Sequence, residues 1–373
     1  NCLSIKYSMM TYKETLFFIA KCLTISFEKK NLKEVREEIK YTKIDWKKVV
    51  QVSTKHYVFP ALYCHLKQVN LLSELPEDLV KFMKDIADAN RSRNQQIISQ
   101  ATDINKLLLA NGITPIFLKG TAFLVEELYQ DSAERMVGDI DFLVSKNAYQ
   151  KAIQVLKADA YQLVHPNSSP LGLSKHYPRL VKKGKINAVE IHQEMTLKKY
   201  TSIFNYEFIQ TTLIREKGFS VMSYPHQILH TIINKQLNDH GYHYKNIALR
   251  NYYDLFLLSH KADPLESIDA LPTIKKQLNS MLSNAAYIFN KPNSITFQKN
   301  KRVEKHTRST ISSLEKPRIQ NFKNRCITIQ FGTIVRMEIL CKALYQKKYF
   351  LFVLAKITDI NWYKRKLLGS YKN

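Results

Sequence analysis

Between residues 112 and 144 the hydrophobic spacing changes period, and this change limits the chain to folds that mix helices with a sheet. Before it, "LPEDLVKFMKDIADANRSRNQQIISQATDINKLLLANG" (75–112) repeats apolar residues at three- and four-residue steps, as a helix requires. Asn111-Gly112 supplies a stop, because both residues enter a left-handed cap easily. After it come two runs of strand length, "ITPIFL" (113–118) and "DIDFLV" (139–144). "TAFLVEELY" (121–129) and "NAYQKAIQVLKADA" (147–160) are helical in spacing. "HYPRLVKK" (176–183) and "INAVEIH" (186–192) read as a hairpin turning through Gly184. A β-α-β-α-β-β order predicts an α+β fold: a small mixed sheet with helices on it.

Helical regions flank that core. "YKETLFFIAKCL" (12–23) and "DWKKVVQVSTKHYVFPALYCHLKQ" (45–68) precede it, with Pro60 expected to bend or divide the second. "PHQILHTIINKQLNDH" (225–240) and "YKNIALRNYYDLFLLSHK" (244–261) follow. The expected organisation is a helical region over 1–110, a core over 111–200, a second helical region over 201–290, and a basic arm with a terminal helix over 291–373. Within the last, 290–325 is polar and weakly periodic and reads as an exposed linker. "TIVRMEILCKALYQKKYFLFVLAKI" (333–357) reads as a packed helix.

Hydrophobic residues make up 45% of the 373, which excludes wholesale disorder. Lys and Arg total 57 against 32 acids, and 19 of these bases against 4 acids fall after residue 290. Such a field attracts polyanions, nucleic acid and nucleotides among them. A Lys-rich, Gly-poor surface also follows from an AT-rich genome, so both origins of the charge stay open. The five cysteines (Cys2, Cys22, Cys64, Cys326 and Cys341) have no CxxC spacing. They suggest neither a zinc site nor a disulfide framework, and a cytoplasmic setting is expected. No apolar run reaches the roughly 18 residues of a membrane span.

Asp139 and Asp141 share a strand face, and two carboxylates a strand-step apart repel unless a cation lies between them. Mg²⁺ suits that role, since it takes carboxylate oxygens together with substrate phosphates. Glu190, on the strand "AVEIH", becomes a third acid if its strand adjoins theirs. Gly120-Thr121 opens a helix directly after a strand, a place where backbone N–H groups meet anions. Lys119 and Arg135 flank the acids. Two conditions follow: Glu190 must face the pair, and no lysine should fill the place of the cation. His192 shares the face of Glu190 and reads either as a contact to acceptor or phosphate or as structural; His176, on the partner strand, reads the same way with less to support it. His230 and His240 read as packing or capping residues, and Arg250 with Asp254 as an i,i+4 ion pair.

The runs "IFLKGT", "DSAERMVGDIDFLVS" and "VEIH" together resemble a family of uncharacterised bacterial nucleotidyltransferases of the DNA polymerase β type, in which a Lys-Gly turn replaces Gly-Gly or Gly-Ser. The similarity is densest over 112–193, weaker in "HYVFPALYCHL" and "PHQILHTIINK", and absent after 290. The resemblance implies Mg²⁺ or Mn²⁺ on Asp139 and Asp141, with Glu190 as third carboxylate. It implies NTP binding by Lys119, Gly120, Thr121, Arg135 and Gly138. The implied reaction is two-metal transfer of an NMP to a hydroxyl of RNA, protein or a small molecule. Two departures from most such enzymes are a longer turn-to-acid spacing and a threonine at the second small position. Competing readings are a degenerate nucleotide sensor or nucleic-acid-binding partner, and a D-x-D glycosyltransferase. Against the last, "FLV" continues the strand where that motif usually enters a loop.

Overall fold

A computed structural model of the chain describes residues 10–164 and 175–358. The described residues separate into two compact units, one of 10–164 with 175–317 and one of 318–358. The first opens with helices α1 (Tyr12–Cys22), α2 (Lys29–Tyr41), α3 (Trp46–Lys55), α4 (Phe59–Gln68) and α5 (Glu77–Ala110). Pro60 divides its segment as expected: it sits in the first turn of α4, after Tyr57 turns at φ 58. Helix α2 has no expected counterpart: its stripe of Leu32, Val35 and Ile39 packs on the core, but charged residues fill most of the rest of the helix. Helix α5 closes at Asn111 and Gly112, where Ile113 N–H donates to the Leu108 carbonyl and Gly112 N–H to that of Leu109. Gly112 has φ 71, a conformation glycine enters without steric cost.

The chain then runs through β1 (Ile116–Phe117), α6 (Lys119–Val125), β2 (Ile140–Leu143), α7 (Tyr149–Ala158), β3 (Gln162–Leu163), β4 (Leu180–Val181) and β5 (Val189–His192). After α8 (Tyr206–Ile209) come β6 (Ile214–Glu216) and β7 (Phe219–Val221). All seven strands join one mixed sheet in the order β3-β4-β5-β2-β1-β7-β6. The α+β expectation holds, and the sheet draws two strands from beyond residue 200. Strand β2 lies parallel to β5 and antiparallel to β1, while β4 and β5 form the expected antiparallel pair. Ile140, Phe142 and Val144 are buried, which leaves the aspartates on the other face.

The first unit ends with α9 (Tyr224–Ile233), which continues into a π turn at Asn234–Asn238, then α10 (Gly241–Tyr244), α11 (Leu249–Leu258), α12 (Pro264–Asp269), α13 (Lys275–Ile288) and α14 (Lys301–Ser313). Helix α14 corrects the reading of 290–325 as an exposed linker. It packs on α13 and buries Val303, Thr307, Thr310 and Ile311. Two threonines supply half of that stripe, so hydropathy alone underrates it; Thr307 meets the Ser283 hydroxyl at 2.9 Å.

The second unit holds α15 (Pro317–Ala343) and α16 (Lys347–Thr358). Here the packed helix expected over 333–357 is also corrected. The segment is helical, but α15 buries none of its residues, and Ile334, Val335, Met337 and Leu340 are exposed. Its apolar residues spread around the helix instead of forming one stripe. No helix of the described residues is long and apolar enough to cross a membrane. Cys22, Cys64, Cys326 and Cys341 are free thiols, and Cys2 lies outside the described residues.

Candidate active site

Helix α5 is the frame on which the acid-bearing strand is fixed. Asn90 and Asn94 point inward and donate to the carbonyls of Ser132, Ala133 and Arg135. Arg93 donates to the Val137 carbonyl and, at 2.6 Å, to the Asn187 side chain. Gln100 exchanges hydrogen bonds with the backbone of Asn187. One helix therefore sets the approach to both β2 and β5. These buried backbone groups need partners, and amides on a rigid helix supply them at fixed spacing.

The Lys-Gly turn is fastened to β2 from the other side. Leu118 N–H donates to the Asp141 carbonyl at 3.0 Å, and the Thr121 hydroxyl donates to that of Asp139 at 3.4 Å. Lys119 adopts φ 52, which is strained for a residue with a side chain. A Cβ at position 120 would lie 3.0 Å from the Val137 side chain, so glycine permits this close approach.

Asp141 and Glu190 are direct neighbours in the parallel β2–β5 register. The first condition set by the sequence is met: Glu190 faces the aspartates, and all three line one cleft of about 250 Å³. Gly120, Arg135 and Gly138 line it too, whereas Thr121 is buried beneath it. His192 Nε2 lies 2.8 Å from Asp141 Oδ1 and 3.5 Å from Glu190 Oε2. His176 bridges to His192 on the neighbouring strand, and its Nε2 lies 3.7 Å from Glu190.

The second condition is not met. Lys119 Nζ donates to Asp141 Oδ1 at 2.6 Å, where a phosphate contact is expected of it. Arg179 bridges the other two acids, with Nε on Glu190 at 2.8 Å and NH2 on Asp139 at 2.9 Å. Three like charges so close must be neutralised, and here side-chain cations do it. Burial alone would raise the Asp141 carboxyl, but Lys119 and His192 outweigh it and hold it well below the usual carboxylate range. Burial likewise opposes ionisation of Glu190, and His192 and Arg179 lower it overall. Asp139 is pushed up by burial. The paired cations are accessible: the Arg179 side chain is 55% exposed and that of Lys119 27%.

The donor set nonetheless fits a divalent ion. One donor atom each from Asp141, Glu190 and His192 lies within 4.8 Å of the others, and all three residues are buried. Two carboxylates suit Mg²⁺ or Mn²⁺, and the imidazole favours Mn²⁺. His192 is thus a ligand candidate that its strand position alone did not single out, and Asp139 stands outside the trio, turned toward Arg179.

A family model described as an uncharacterised nucleotidyltransferase matches residues 42–290. The chain belongs to that family. No curated protein and no solved structure matches the chain. The nucleotidyltransferase match takes in α3 through α13 and the whole sheet, and it stops before α14.

Within this nucleotidyltransferase cleft, two functional candidates escaped the sequence reading. Arg179 lies in the hairpin strand opposite Glu190, and a cation facing a strand acid was the signal for it. Arg250 was read as the i,i+4 partner of Asp254. Asp254 instead receives Arg135 NH2 at 2.9 Å and the Tyr129 hydroxyl, so that ion pair is corrected. His230 is buried, consistent with packing, and His240 precedes α10 at its N-cap.

Proposed function

We propose that the protein transfers a nucleoside monophosphate from an NTP to a hydroxyl acceptor of RNA, protein or a small molecule. The observation that carries this reading is the side-by-side placement of Asp141 and Glu190 on parallel strands within a nucleotidyltransferase-family chain. Asp139, Asp141 and Glu190, with His192, would hold the divalent ions, Mg²⁺ or Mn²⁺. Bound there, such ions supply Lewis-acid charge to the triphosphate and the acceptor.

Lys119 and Arg179 keep the acids ionised and in place while the site waits. On loading they turn from the carboxylates to the phosphates. The acceptor hydroxyl would give its proton to Glu190 or to water, its oxygen bonding to the α-phosphorus as the bond to pyrophosphate breaks, and the charge of Lys119 and Arg179 offsets that growing on the departing oxygen. We place this chemistry in a core over 111–200, extended by β6 and β7, between helical flanks over 1–110 and 201–290.

A second reading is favoured by the same two cations: a degenerate site whose acids are permanently neutralised, which senses nucleotide without transferring it. Incubation with each α-labelled NTP, Mg²⁺ or Mn²⁺, and total RNA or cell extract separates the two. The transferase reading expects label on an acceptor from wild type and none from Asp141→Ala. Nucleotide binding with no transfer under either metal establishes the sensor.

A further inference from the structure

Four cations line the cleft, and three are already engaged. Lys119 holds Asp141, Arg135 holds Asp254, and Arg179 holds Asp139 and Glu190. Arg250 is different. Its guanidinium stacks over the Tyr57 ring at 4.9 Å and reaches the Met136 carbonyl at only 3.4 Å. Its Nε is buried with no hydrogen-bond partner, and it has no carboxylate partner among the described residues. It also occupies the first turn of α11, the positive end of a helix whose N-cap offers no side-chain acceptor. A cation is disfavoured there, and the neighbouring Arg135 adds to the cost. Burial, followed by the charge of Arg135, weakens its hold on its proton. Asp254, already engaged by Arg135 and Tyr129, offsets this charge only in part, and a guanidinium whose Nε has no partner among the described residues suits a further anion.

We infer that Arg250 binds the polyphosphate end of the nucleotide, the two phosphates that leave as pyrophosphate. This rests on the nucleotidyl-transfer reading and adds to it a direction. The α-phosphate would lie toward Asp141 and Glu190, and the tail would extend toward α11, outside the sheet. Guanidinium suits this ligand because its fork presents paired donors to phosphate oxygens. The ring of Tyr57 fixes that fork in advance, which lowers the entropy lost on binding.

Binding of inorganic pyrophosphate, ATP and AMP to the full-length protein, measured by calorimetry without transfer, tests the assignment. Arg250→Gln should weaken pyrophosphate and ATP by roughly 10- to 100-fold, the worth of one charge-assisted contact, and leave AMP within about twofold. Arg250→Lys keeps the charge but not the paired donors; its pyrophosphate affinity should fall between those of wild type and Arg250→Gln, and an unchanged melting curve guards against a folding artefact. Wild-type affinity for pyrophosphate in Arg250→Gln would overturn the inference, as would an equal loss for AMP. Arg250-dependent pyrophosphate binding in a protein that transfers no label supports the inference and removes the transferase reading, so the two can fail separately.

Discussion

Asp141 and Asp254 are both buried carboxylates paired with cations, and the chain surrounds them in opposite ways. Asp254 receives Arg135 and the Tyr129 hydroxyl, and the Asp254 and Arg135 side chains are 2% and 7% exposed. Beside it Glu134 accepts the Tyr253 hydroxyl at 2.7 Å, and Tyr253 meets His65 at 2.6 Å. That network ties α4, the loop before β2 and α11 together, and its Arg135–Asp254 pair is a nearly unexposed part of the lining of the cleft that also holds Asp141. Asp141 is met by cations at the wall of an open cleft. The nearly unexposed Arg135–Asp254 pair cannot exchange partners without leaving a bare buried charge, so it acts as a fastener. The accessible pairs can exchange, so they suit a site that must admit metal and phosphate. A buried, paired carboxylate therefore points to function here only when its partner can leave.

Four changes would sharpen or break that contrast. The largest effect is expected from Asp141→Ala, which should cut label transfer by about a thousandfold or more while thermal unfolding moves by only a few degrees. Asp254→Ala should do the reverse. It strands the Arg135 guanidinium in the interior and should lower unfolding free energy by about 3–5 kcal/mol in a denaturant titration. Equal stability losses in the two variants would erase the distinction between fastener and site.

Lys119→Ala is a smaller test. Removing a competing cation should tighten Mn²⁺ binding by roughly tenfold when no nucleotide is present, read from the loss of free-Mn²⁺ signal. Weaker Mn²⁺ binding would mean that Lys119 organises the acids and does not compete for them.

The smallest effect concerns Glu126, a carboxylate held by the Gln227 amide at 2.9 Å and not by a cation. Burial raises it to about 7. Its folded value lies above its unfolded one, so its contribution is full below about pH 4.5 and lost as pH rises through 7. Glu126→Gln should flatten the stability–pH curve over that window by about 1–2 kcal/mol. An unchanged slope would show that Glu126 is solvated as an ordinary surface acid.

What the sequence disclosed follows from range. Asp139, Asp141 and Glu190 were legible because period-two alternation fixes which side chains share a face, and the strand–helix order favours neighbouring strands. The Gly184 hairpin and the Gly112 stop are local chemistry and were legible for the same reason. Arg250 was misassigned because a local rule, acid at i+4, was already satisfied. Only the docking of α11 against the loop before β2 shows that Asp254 belongs to Arg135, 119 positions away. Asn90 and Asn94 look like surface residues of a long helix until the loop they hold is folded over them. In α14, threonines bury half of a face that polarity assigns to solvent, and in α15 apolar residues stay exposed because they form no stripe.

Mn²⁺ titration followed by electron paramagnetic resonance, with a non-hydrolysable NTP present, tests the central claim most directly. Wild type should withdraw Mn²⁺ from solution, and Asp141→Asn and Glu190→Gln should each weaken that binding by roughly 10- to 100-fold while remaining folded. Mn²⁺ uptake equal to wild type in both variants would contradict the account, because the paired strands would then hold Lys119 and Arg179 and nothing else.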